Sequence, residues 1–144
     1  MSIFILSFLS IFPLPSQQEE IRLTEISIRY QSTFSSIPEL YRLLIIDRKI
    51  EEISPITGVS GEPVRIRTKW IRKNKWTKIM SFVESEEFQS METSTEQGID
   101  GAWYSITSKY TNGQKKTVKI WSGYATAELI NFHNLIKNEI AKRR

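Results

Sequence analysis

Residues 102–121 read AWYSITSKYTNGQKKTVKIW, and the way the two halves of this stretch pair decides the fold. Ala102, Tyr104, Ile106 and Tyr110 alternate before Thr111-Asn112-Gly113, and Val118 and Ile120 alternate in phase after it. Apolar residues at every second position mark strands with one buried face, and Asn-Gly between two such runs marks a hairpin. A two-residue turn at Asn112-Gly113 would set Ile106 opposite Lys119 and mix the faces. A three-residue loop with Gly113 in the left-handed region sets Ile106 opposite Val118 and Tyr104 opposite Ile120. Only the second register buries one consistent face, so it is the one expected. It also puts Trp103 across from Trp121 on the other face, with Ser105 opposite Lys119.

Working upstream, Ile21 and Leu23 share one phase and Ile26, Ile28 and Tyr30 another. The slip predicts a strand with a bulge near Thr24-Glu25. Leu40–Ile46 and Lys49–Ile53 read as a second and third strand turning at Asp47-Arg48. Pro55, Gly58, Gly61 and Pro63 mark a long loop. Val64, Ile66, Thr68 and Trp70 then alternate with Arg65, Arg67 and Lys69. This predicts a fourth strand with its apolar set buried and a basic outer face.

Asn74 is the expected N-cap of a first helix, with Trp76, Ile79, Met80 and Val83 as its core stripe. Phe88 and Met91 should fold back under its end, and Glu92–Gly98 is a polar loop. A last helix is capped by Thr126, carries Glu128 in its first turn and buries Leu129, Phe132, Ile136 and Ile140. The order β-β-β-β-α-β-β-α predicts an α+β fold, an antiparallel sheet of five to six strands with two helices on one face.

The 144 residues contain no Cys and carry a formal net charge of +4. No disulfide or lipid anchor on a cysteine is available, so the core alone must hold the domain. A mild positive excess favours solubility more than it announces nucleic acid. The first eighteen residues have no charged side chain, and Ile3–Phe12 (IFILSFLSIF) is apolar before Pro13-Leu14-Pro15-Ser16. Such a run is too short to span a bilayer and resembles the hydrophobic region of a secretory signal. The expectation is a signal peptide over residues 1–16 and a single domain over 17–144. The product would be exported, periplasmic or extracellular, and not inserted in the membrane once processed.

Trp76-Thr77-Lys78-Ile79-Met80, a helix leading into Glu87-Phe88-Gln89-Ser90-Met91, a polar loop, Asp100-Gly101, a hairpin and a final helix follow one another over residues 40–140. This arrangement resembles small exported bacterial proteins of unknown function. In element order alone it is also similar to emfourin-like metalloprotease inhibitors. The second resemblance implies a non-enzymatic, partner-blocking role. No inhibitory motif matches, so no inhibitory residue is carried over.

Catalytic and metal chemistry find little support. His133 is the single histidine and is expected as a partly exposed helix residue. No nucleophile elbow accompanies it, although Asp47 or Asp100 would be the carboxylates available to orient it. One His and no Cys leave no transition-metal set, and no calcium-loop spacing occurs. Gly58-Val59-Ser60-Gly61 lacks the lysine of a phosphate loop. Asp100-Gly101 reads as a turn. No catalytic, cofactor-binding or metal residue is therefore expected. The basic strand lacks exposed aromatics on this reading, which argues against nucleic acid. What remains is a surface for a protein partner: Trp103, Trp121 and Lys119 on the open sheet face, with Arg65, Arg67 and Lys69 as a basic stripe. The alternative is a small-ligand-binding module or an enzyme whose pocket the sequence does not reveal.

Overall fold

Gly113 turns with φ 80°, and the hairpin it closes pairs Ile106 with Val118, Tyr104 with Ile120 and Trp103 with Trp121, as the burial argument requires. The computed structural model describes residues 19–55 and 64–142, so the expected signal segment and the Gly58–Gly61 loop lie outside the described residues. The strands are β1 (Leu23–Ser32), β2 (Glu39–Leu44), β3 (Lys49–Pro55), β4 (Val64–Trp70), β5 (Ala102–Tyr110) and β6 (Lys115–Trp121). They form one antiparallel sheet in the order β4-β3-β2-β1-β5-β6. The helices are α1 (Lys73–Val83), α2 (Glu86–Ser90) and α3 (Ala127–Ala141). The fold is α+β. The register of β1 against β5 shifts between Leu23 and Glu25, the bulge predicted by the phase slip.

The core lies between one face of the sheet and the helices. Ile26, Ile28, Leu43, Ile50, Ile106, Val118 and Ile120 come from the strands. Trp76, Ile79, Val83, Phe88, Leu129, Phe132, Ile136 and Ile140 meet them from the helices. Every residue expected in the stripe of α3 is buried, and the Thr126 side chain accepts from Leu129 N at its start. Ser85 caps α2 in the same way, accepting from Phe88 N, and so turns Phe88 under the core.

Two expectations are corrected. Asn74 is not the N-cap of α1. Arg72 holds that position without a side-chain bond, and Asn74 Oδ1 instead accepts from Lys75 N at 2.8 Å. The helix starts early because buried Ile71 anchors the chain directly after β4. The second correction concerns the phase of β4. Lys69 pairs with Ile50, which is fully buried under the helices, so Lys69 points to the helix side. Trp70 and Ile66 point to the opposite face and are 59% and 51% exposed. An edge strand at the rim of the helix layer can turn a long cation inward. Lys69 Nζ reaches past the rim and donates to Glu139 O at 2.5 Å and Lys142 O at 2.9 Å, closing the C-terminal end of α3. Lys49 Nζ sits 4.0 Å above the Trp70 ring, covering part of it.

Candidate functional site

The sheet face away from the helices is built by the odd-numbered residues of β1 and β5 and their neighbours. In one cross-strand row Arg29 faces Ser105, which faces Lys119. In the next row towards one end, Gln31 faces Trp103, which faces Trp121. Arg29, Gln31, Trp103, Ser105 and Lys119 together line a shallow concavity of about 330 Å³. Arg29 and Lys119 are exposed, and neither side chain has an ion-pair or hydrogen-bond partner among the described residues. Trp103 is half-buried. Arg29 and Gln31 were not among the residues expected at a site, although their alternation with buried Ile28 and half-buried Tyr30 puts them on this face.

Trp121 does not form an exposed pair with Trp103. The two rings do meet edge to face at 5.2 Å and 67°, but Trp121 is only 2% exposed. The loop after α2 folds over it. Ser94 N donates to Lys119 O at 2.7 Å, and Lys119 N and Trp121 N donate to the hydroxyls of Thr93 and Ser94. These bonds pin the loop along the outer edge of β6. Gly98 and Gly101 then pass so close that a Cβ on either would lie 2.7 Å and 2.8 Å from the indole. Trp121 therefore serves as the floor that sets the angle of Trp103, and of the expected tryptophan pair only Trp103 remains as a contact residue.

The basic stripe does not join this face. Arg67 pairs with Glu52 at 3.3 Å on the helix side of the sheet, and Lys69 is committed to α3. The Arg65 side chain lies outside the described part. Cations on the open face come instead from the other five strands. Lys109 binds Glu25 at 2.7 Å, and although burial pushes the Glu25 carboxyl up, its bonds to Lys109 and Ser27 hold it below the usual range. Arg42 binds Glu51 at 2.6 Å further across the sheet.

His133 is buried, not partly exposed. It stands on the sheet side of α3, stacked on Tyr30 at 5.1 Å and edge-on to Tyr104 and Tyr41 at 5.4 Å and 5.7 Å. Its Nε2 is shut off from solvent without a hydrogen-bond partner among the described residues, and the Glu39 carboxylate lies 3.5 Å away. Glu39 is also bound by Lys137 at 2.7 Å and accepts from the Tyr41 hydroxyl at 3.3 Å. Burial pulls the His133 pKa down, the Glu39 charge opposes it, and Lys137 adds to the lowering. Burial, with Glu39 beside it, pushes the Tyr41 hydroxyl up. This cage packs the imidazole into the core, where burial disfavours its charged form.

Among the described residues, no three His, Cys, Asp or Glu side chains come together to hold a metal ion. No helix there is long and apolar enough to cross a membrane. No protein-family model matches the chain, and no curated protein matches it either.

Proposed function

We propose that this is an exported, non-enzymatic protein that acts by docking a protein partner, in the manner of an inhibitor or immunity protein. The observation that carries the reading is Trp103, half-buried at one end of a concavity flanked by Arg29 and Lys119, two cations without a partner among the described residues, and held in place by a buried tryptophan. Aromatic residues in such settings dominate the energetics of protein interfaces, and a rigid support lowers the entropy lost on binding. Export rests on the apolar run Ile3–Phe12 followed by Pro13-Leu14-Pro15-Ser16.

The test begins with pull-down from the native host's exported fraction, identification by mass spectrometry, and binding kinetics by surface plasmon resonance. Trp103→Ser should weaken binding by ~2 kcal/mol or more with the fold intact by circular dichroism. Unchanged affinity would reject the sheet face as the docking site. Intact-mass measurement in the native host should find the chain starting near Gln17, and retention of Met1 would reject export.

A further inference from the structure

We infer that the open sheet face selects an extended, acidic segment of its protein partner, with carboxylates spaced four residues apart; this rests on the docking reading above. The strand registers fix where the charges stand. Arg29 and Lys119 flank Ser105 in one row. Two rows along, Glu25, Lys109 and Lys115 stand side by side. Between these rows lie Ser27, Thr107 and Thr117, with the two threonine hydroxyls 2.9 Å apart. Over β1, β5 and β6 this face therefore presents four cations, Arg29, Lys109, Lys115 and Lys119, against the single carboxylate of Glu25. That carboxylate is already held by Lys109 and Ser27.

The spacing of these charges sets the ligand. Adjacent strands are about 4.8 Å apart, so Arg29 and Lys119 straddle a slot roughly 10 Å wide with Ser105 at its floor. Lys119 and Lys115 are four residues apart on one strand, about 13 Å. An extended chain lying along β5 has the same rise, so its residues i and i+4 would fall on the two cationic rows. Its middle residue would lie over the Thr107–Thr117 pair, which offers hydroxyls and no charge. At one end the half-buried Trp103 stands one row further along and supplies an apolar contact for the residue two positions before the first carboxylate. A helix would fail this match, since four residues rise only about 6 Å.

The probe is a synthetic peptide Leu-Val-Glu-Val-Ser-Val-Glu-Val, titrated into the ¹⁵N-labelled full chain and followed by heteronuclear NMR. Shifts should concentrate at Arg29, Trp103 to Thr107 and Lys115 to Lys119. Binding should weaken as salt rises from 0.01 M to 0.15 M, because screening shortens from about 30 Å to about 8 Å. Arg29→Glu with Lys119→Glu should weaken binding about tenfold or more. Arg72→Glu with Lys75→Glu, at the start of α1, should leave it unchanged. A peptide with its two glutamates adjacent should bind several-fold more weakly. Equal binding of the same peptide with both glutamates replaced by glutamine, or shifts centred on α1, would overturn the inference. So would tighter binding of oligothymidylate than of the acidic peptide, which would assign the face to nucleic acid. If the pulled-down partner depends on Trp103 but not on Arg29 or Lys119, docking stands and the acidic segment falls.

Discussion

Substituting Gly101 by alanine tests whether the loop after α2 is packed on Trp121. Gly101 has φ 154°, and a Cβ there would lie 2.6 Å from Ser122 Oγ and 2.8 Å from the Trp121 ring. Neither neighbour can yield freely. Ser122 Oγ accepts from Ala102 N at 3.1 Å, and the indole is wedged against Trp103. Backbone strain contributes about 1–3 kcal/mol and overpacking a further 1–3 kcal/mol. Gly113→Ala is the matched control, since φ there is 80° but nothing lies within 4 Å of the new Cβ. It should cost only the left-handed conformation, about 1–2 kcal/mol. In urea, where such domains lose about 1–3 kcal/mol per molar, Gly101→Ala should lower the midpoint by roughly 1–3 M and Gly113→Ala by clearly less. Acrylamide quenching should rise only in the first variant as the indole is uncovered. If the two variants melt together with equal quenching, the loop does not cover Trp121 and both tryptophans belong to the surface.

Lys69→Met removes both bonds to the end of α3, and should cost about 1 kcal/mol and speed amide exchange in its last turn roughly fivefold; unchanged exchange would refute the cap. His133 has a folded pKa below its unfolded value of about 6.5, so the unfolded chain binds more protons below that pH. Stability should be level above pH ~6.5 and fall as pH drops through it. His133→Phe should abolish this slope in urea melts between pH 7.5 and 5.5, and a slope that survives would assign it elsewhere. Trp76→Ala should destabilise by about 3–5 kcal/mol and Trp70→Ala by at most ~1 kcal/mol in thermal melts, the reverse ranking being incompatible with the observed phase of β4.

The parts of the fold visible in the sequence were those where two local signals had to agree. Ile106 and Val118 could be matched because only one loop length kept both on the buried face. The bulge at Thr24 showed as a phase slip. Thr126 stands where a capping hydroxyl is needed before an apolar stripe. In β4, by contrast, alternation separated Ile66 and Trp70 from Arg67 and Lys69 without saying which set faces the helices. At the rim both arrangements are soluble, and the choice was settled by carbonyls at Glu139 and Lys142, some 70 residues away. The burial of Trp121 was hidden for a similar reason. Its cover is a polar loop with no periodicity, and the legible trace was the pair of glycines, Gly98 and Gly101, that let backbone approach the ring. His133 was misplaced because its partners Tyr30, Tyr41 and Tyr104 come from three strands. Of the candidate site, Trp103 and Lys119 were legible through the hairpin. Alternation put Arg29 on the open face, but its place beside Ser105 needed the β1–β5 register, which no local pattern supplies.

The two borders of the sheet are finished differently, and this bears on how the protein could polymerise. At β6, the stretch Lys119–Trp121 is already bonded to Thr93 and Ser94 of its own chain. β4 is the other border. A fibril of stacked sheets needs every subunit to offer two docking borders, one for the neighbour on each side. With Lys119–Trp121 bonded, only the Lys115–Val118 part of that border is left open, too short a stretch to dock a whole strand after a first twofold pairing through β4. Even that pair would bring Arg67 of one copy towards Arg67 of the other, like charge against like. The loop that buries Trp121 thus also shortens the edge on which a chain of sheets could grow.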